Sequence, residues 1–372
     1  MIRVPMNILL FAHLNRGWLG CLVKRGFEQC GHQIVVITPE SAPSDFVTGD
    51  SQVHVPRLVG ACSPKPDLVV VLETDPRFRF FPDGLLEVPV PTAFWAIDNH
   101  LNYRWHKEYS RQFDVTFFAQ KDYISAAERY GATNVRWLPL AADAEYHRIE
   151  PQPGKYAVSF VGNVSKGRRR FFDSIDRDIP LNIVSGVYEQ DMAQILAESK
   201  IGLNVSLRED LNMRFFEVLA SGALLVTQRI EAGVSDLFED GVHFVSHDFT
   251  DVSSVLKYYL ENEPSRAEIA ARGRELCLSR HTYRHRCEEL IRVALSNEDL
   301  LEIRRKKVRS YQPDIAQALV FAHPTFKMKR ESRKCYRRAA HKSRLGTYSY
   351  LAGYFGSYLK EAMQKPFKKT IW

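Results

Sequence analysis

The chain has 372 residues, 45% hydrophobic and 26% charged, with 51 Lys and Arg against 44 Asp and Glu for a formal net charge of +7. The length exceeds what one core ordinarily holds and the composition is that of a soluble globular protein, so two domains plus an appendage are expected and an embedded membrane protein is not. The excess of base belongs to the C-terminal part: from Glu302 onward 18 Lys and Arg face 4 Asp and Glu, net +14, which leaves −7 for residues 1–301.

At the N-terminus the apolar run Ile8 to Phe11 is too short for a signal peptide or a spanning helix. Asn7 to Ala12, Gln33 to Thr38, Asp67 to Leu72, Thr92 to Ala96 and Asp114 to Phe118 read as buried strands alternating with helical patterns, the order of a doubly wound α/β domain over residues 1–150. Ligands in such sheets collect at the carboxyl ends of the strands. There stand Gly17, in the turn Leu14 to Gly20, and Asp98 and His100, just past the strand ending at Ala96. Asp98 reads either as the cap of the next helix, the role weighed first, or as a general base toward an acceptor hydroxyl.

Pro151-Gln-Pro-Gly154 marks an interdomain linker. A second α/β unit over residues 155–295 follows, with strands at Ala157 to Val161, Leu181 to Val184, Ile201 to Val205, Ala223 to Thr227 and Val242 to Val245, then three helical patterns from Asp251 to about Leu295. Its first strand runs into Gly162-Asn163-Val-Ser-Lys166-Gly-Arg168-Arg169-Arg170. Cations at a helix start oppose the helix dipole, and a bound anion compensates them; facing a departing diphosphate they stabilise the transition state more than the ground state.

Asp176-Arg-Asp178 precedes a strand rather than following one and reads as solvated turn acids, while His281 and His285 have no third ligand nearby. No metal is required, and no cofactor beyond a co-substrate. The six cysteines are scattered, without a C-x-x-C pair, as in a reduced cytosolic protein whose thiols act as small apolar groups.

Most informative is Arg208 to Thr227, where Glu209 and Glu217 bracket a helix start beside Asn212 and Met213. Free N–H groups of a first helical turn favour phosphate oxygens, and nearby carboxylates accept hydrogen bonds from hydroxyls. A nucleotide sugar supplies both.

The basic tail, residues 296–372, holds Arg304 to Lys307, Lys327 to Arg338 and a helical pattern from Tyr348 to Met363 with an aromatic face. It reads as the closing helix of the fold or as a contact for a membrane surface or a polyanion, nucleic acid included.

The pattern Glu209-x7-Glu217 resembles that of family 4-like glycosyltransferases. With Trp95 to Asp98, Val135 to Asp143, Val158 to Asn163, Leu237 to Gly241 and His281 to Arg286 in order, the chain is similar above all to the CgeB-like, spore-maturation glycosyltransferases, over roughly residues 60 to 295. The resemblance implies a GT-B plan: two Rossmann-like domains across a cleft, with a basic helical extension. It implies metal-independent sugar transfer from a UDP- or GDP-linked donor to an anionic, lipid-linked or surface-glycan acceptor. Glu217 is then placed on the ribose, Glu209 and His100 on the donor sugar, Arg168 and Arg169 on the diphosphate, and Lys166 where relatives carry a lysine. The expected location is cytoplasmic, peripheral on the membrane if the tail binds it. Two other functions stay open: a polyanion- or membrane-binding protein on a retired scaffold, and a transferase acting on modified DNA.

Overall fold

The computed structural model describes residues 4–38, 47–48, 52–73, 81–132, 135–206, 208–296, 312–322 and 329–342. In chain order the first domain comprises β1 (Asn7–Phe11), α1 (Leu19–Gln29), β2 (Gln33–Ile37), β3 (Val47–Thr48), β4 (Gln52–His54), α2 (Val55–Ala61), β5 (Leu68–Leu72), β6 (Phe81–Asp83), β7 (Thr92–Ala96), α3 (Asn99–Tyr109), β8 (Val115–Phe118), α4 (Ile124–Arg129) and β9 (Val135–Trp137). The second comprises β10 (Tyr156–Val161), α5 (Lys166–Asp173), β11 (Leu181–Val184), α6 (Glu189–Ala197), β12 (Ser199–Asn204), α7 (Met213–Ser221), β13 (Leu224–Gln228), β14 (Val245–His247), α8 (Val252–Glu261) and α9 (Glu263–Arg280). Then come α10 (Tyr283–Leu295), α11 (Gln312–Ala322) and α12 (Lys329–Lys342).

Unbroken apolar runs such as Leu68-Val-Val-Val-Leu72 suit strands covered on both faces, and every residue of β5 and β7 is buried. Six parallel strands form one sheet, β2-β1-β5-β7-β8-β9, and five form the other, β11-β10-β12-β13-β14. In each, the chain order reverses beside the first strand, so the crevices beyond β1 and β10 are the switch points where ligands bind. The loop after β1 carries Gly17 and the loop after β10 carries Gly162.

Apolar clusters cover both faces of both sheets. One of them joins Ala119, Leu140 and Ala142 of the first domain and linker to Leu211, Phe215 and Phe216 of the second.

Three findings correct the expected elements. The last strand of the second sheet is Val245–His247 rather than Val242 to Val245, because Gly241, at φ 77°, donates to the Phe244 carbonyl and folds that stretch into a turn. Strand β9 and the small β3-β4-β6 sheet, two to three residues per strand, are too short for a period to register. Helix α10, grouped by sequence with the second domain, returns to the first: Tyr283, Cys287, Leu290 and Ile291 pack with Val23 and Phe27 of α1.

The tail packs back as well. Ala318, Val320, Phe321 and Cys335 join the first-domain core, and Arg338 donates to Asp314 at 3.0 Å and lies 3.9 Å from Asp83. The expected helix at Tyr348 to Met363 and the cluster Arg304 to Lys307 lie outside the described residues. Among the described residues no helix is long and apolar enough to cross a membrane.

Candidate active site

A cavity of about 160 Å³ lies between the domains, lined from the first by Gly17, Leu22 and Tyr283 of the returning α10, from the connecting segment by Asp143, Tyr146 and His147, and from the second by Gly162, Asn163, Tyr188, Glu189, Met213, Arg214 and Glu217. Both switch-point loops therefore reach it. Gly17 sits at φ 76°, and a Cβ there would lie 2.6 Å from the Tyr188 ring, so only glycine lets the two loops meet. Its N–H donates to Glu189 Oε1 at 3.0 Å, and Arg16 donates to Glu189 at 3.1 Å and Asp191 at 2.9 Å. Gly162, at φ 149°, gives its missing side-chain space to the Arg214 guanidinium.

Helix α7 begins where Asn212, in extended backbone, accepts the Phe215 N–H on its side-chain oxygen. The Asn212 amide nitrogen is buried with no partner. One turn on, Arg214 and Glu217 share a helix face. Arg214 donates to the Val161 carbonyl at 2.6 Å and to Asn204 Oδ1 at 3.5 Å, and lies 4.4 Å over the Phe160 ring. On helix α5, capped by Ser165, Arg168 donates to the carbonyls of Val205 at 2.9 Å and Asn163 at 2.8 Å and lies 5.5 Å from the same ring. Two guanidiniums thus converge on Phe160, and among the described residues neither makes an ion pair. Burial and then the neighbouring Arg168 charge pull Arg214 down to about 10. Asp143, by contrast, is taken by Arg25 at 2.7 Å.

No described group donates a hydrogen bond to the Glu217 carboxyl, which burial pushes up to about 7 against the pull of Arg214. Eight residues earlier, Glu209 is exposed, at φ 57°, on the loop ahead of α7 and away from the cavity lining. Lys166 and Arg169 are also exposed. Of the sequence-derived set, Gly17, Gly162, Asn163, Met213 and Glu217 line the cavity, and Arg168 does not, though it bonds the carbonyl of the lining residue Asn163.

Asp98 and His100 form a second group with Arg208 and Asp210. Arg208 donates to the His100 carbonyl at 3.5 Å, and the half-buried His100 ring, its Nδ1 without a partner, is held below its ordinary pKa by burial. Asp98 is the residue before α3, but its side chain makes no cap bond, which corrects the role weighed first for it. At ψ 54° its carboxyl is not swung over the helix amides, as the side chains of Ser165 and Asn212 are at ψ 169° and 171°. Glu73 instead accepts the Ile97 and Asp98 N–H groups at 2.6 and 2.7 Å and the Asn102 amide at 2.6 Å. Recess into the cleft, with the like charges of Glu73 and Asp210, raises the Asp98 carboxyl to about 7; its exposed side lets solvent screen part of that.

The Asp176-Arg-Asp178 acids both meet Lys257, at 2.6 and 2.9 Å, and His285 caps α10 with Thr282.

Residues 159–292 match the glycosyl transferase-like family model. Among solved structures, HepE of Anabaena with UDP-glucose is 13% identical, at a TM-score of 0.57, over 78% of this chain and 100% of that one. The fold is GT-B, and residues 159–292 of it are similar to that family. A GT-B likeness of the same order links it to an alpha-glucosyltransferase in complex with UDP and a 13-mer DNA, 13% identical, TM-score 0.54, over 78% of this chain and 99% of that one. A glycosyltransferase from Rickettsia africae is 11% identical at 0.54 over 82% and 99%. No curated protein sequence matches the chain.

Arg214, Glu73, Gln120 and Glu189 escaped the sequence reading. Arg214 had a signal, its three-residue spacing from Glu217 on one helix face. The others come from loops and strand ends that only the fold juxtaposes.

Proposed function

We propose that this GT-B protein transfers a sugar from a UDP-linked donor to an acceptor hydroxyl, in the manner of the CgeB-like glycosyltransferases. One observation carries the reading: Arg168 and Arg214, anchored to uncharged oxygens and to no carboxylate, leave two half-buried cations on one ring beside an open cavity. Fixed cations of this kind are costly without an anion, and a diphosphate fits them. As the glycosidic bond breaks the leaving diphosphate gains charge, and cations already in place stabilise that change without reorganising.

In this reading Glu217 accepts the ribose hydroxyls, and Asn212 and Met213 meet the distal phosphate or sugar at the α7 terminus. Glu209 approaches the sugar from its loop, while Gly162 and Asn163 shape the floor and Gly17 the roof. Lys166 and Arg169, at the rim, add long-range attraction for the donor. His100 reaches the donor sugar from the first-domain wall, and Asp98 faces the acceptor and draws off its proton. The relatives with UDP or UDP-glucose support the choice of uridine. Arg333, Lys334 and Arg337, exposed on α12, give the first domain a basic face for an anionic lipid-linked or surface-glycan acceptor.

The test is a thermal-shift panel of UDP, GDP and ADP on the full-length protein. UDP at about 100 times its dissociation constant should stabilise by about 2.7 kcal/mol. Equal, negligible shifts with all three would sink the reading.

A further inference from the structure

The geometry points to Gln120 as a positioning residue: its side-chain amide locks the Glu209 loop of the second domain onto the Asp98–His100 wall of the first, so the transfer site is assembled only when the cleft is closed in this register. The inference rests on the glycosyltransferase reading above.

Gln120 stands two residues past β8 and is 3% exposed. Its Nε2 donates to the Leu211 carbonyl at 3.3 Å and its Oε1 accepts the Leu211 N–H at 3.0 Å. One amide thus pairs with both polar groups of a residue 91 positions away, as a strand partner would. Leu211 is itself fully buried and lies between Asp210 and Asn212, two residues from Glu209.

Behind Gln120 the first domain is wired through. The Gln120 N–H donates to Asn99 Oδ1 at 3.1 Å, and Asn99 Nδ2 donates to His106 Nδ1 at 3.1 Å. His106 Nε2 lies 3.1 Å from Glu73, whose carboxylate holds the Ile97 and Asp98 N–H groups. A continuous polar chain therefore runs from the backbone that sets Asp98 to the backbone that sets Glu209. Opening the cleft breaks that chain at the Gln120–Leu211 pair, where the two domains meet. Arg168, Arg214 and Glu217 make none of these bonds, so nucleotide binding is separable from this alignment.

The experiment uses full-length wild type, Gln120→Ala and Gln120→Glu. UDP affinity is measured by calorimetry, and nucleotide release by steady-state kinetics with UDP-glucose, UDP-galactose, UDP-N-acetylglucosamine and GDP-mannose. For the sugar nucleotide that wild type turns over, both variants at pH 8 should lose about 10- to 100-fold in kcat while UDP affinity stays within about twofold. Gln120→Glu adds a signature that a merely structural role would not show. An ionised carboxylate cannot donate to the Leu211 carbonyl, but a protonated acid restores both bonds. The ratio of Gln120→Glu to wild-type kcat should therefore climb as pH falls, while the Gln120→Ala ratio stays flat.

Wild-type kcat in both variants, UDP affinity lost in step with kcat, or a pH-independent Gln120→Glu ratio would each overturn the role of Gln120 alone. A wild type that neither binds nor turns over any of the four would overturn the parent reading and this one together.

Discussion

The two walls of the cleft are built on opposite principles. On the second-domain side, Arg168 and Arg214 are tethered to neutral oxygens, the Glu217 carboxyl has no described hydrogen-bond donor, and the Asn212 amide nitrogen is unpartnered. On the first-domain side the Asp98 and His100 side chains stay open toward the cleft, but the network behind them is closed: Glu73 accepts three hydrogen bonds and meets His106, and Asn99 and Gln120 are bonded at both ends. Buried polar groups are normally satisfied by their own protein, so a wall that leaves them open is one that expects a ligand, and a wall that closes them holds geometry. The nucleotide should therefore depend on the second domain and the alignment of transfer on the first.

Three perturbations bear on that division. The largest effect is expected from Arg214→Gln, which removes a cation from the proposed diphosphate site: UDP affinity should fall about 100-fold, on the order of 2–3 kcal/mol, by calorimetry. An unchanged affinity would break the division at its root.

Next is Glu217→Gln. The Glu217 carboxyl titrates at about 7 in the fold against an ordinary 4.5. The unfolded chain gives up that proton first, so between those values the folded protein holds more protons, stability falls as pH rises, and the cost is complete above about 7. The amide cannot ionise. Glu217→Gln should thus raise stability at pH 8 by on the order of 1–3 kcal/mol, read as a higher melting temperature, and leave it unchanged at pH 4, while lowering UDP affinity about tenfold. A destabilised variant at pH 8 would mean that the carboxylate is paired in the empty protein.

The smallest concerns the bridge over the cavity. Arg16 is 64% exposed, so Arg16→Ala should leave UDP affinity nearly intact and speed UDP release about two- to threefold at low salt, a difference erased near 1 M salt. Stopped-flow displacement measures it. A loss of tenfold or more would make this bridge part of the binding site rather than a latch across it.

Much of this was legible in the sequence, for reasons that differ by element. The parallel strands announced themselves because a strand buried on both faces must be apolar throughout, as Leu68 to Leu72 is. Glu217 and Asn212 were readable because helix starts carry their own local chemistry. The expected cap at Asp98 fails because its backbone, at ψ 54°, does not carry the carboxyl over the first-turn amides; the distant Glu73 holds the Ile97 and Asp98 N–H groups just before them, and no window around Asp98 contains it. Gln120 and Leu211, 91 residues apart, carry no motif; only the meeting of two domains makes them a pair. Arg214 is within reach of helical spacing from Glu217, but the arginine run at 168–170 is the more conspicuous signal.

The most direct measurement titrates UDP by calorimetry into Arg214→Gln and Asp98→Asn, side by side with the wild-type protein. The expected result is one-sided: Arg214→Gln loses about two orders of magnitude in affinity, while Asp98→Asn binds within about twofold of wild type and loses only turnover. Equal losses in the two variants, or none in either, would contradict a donor held mainly by the second domain.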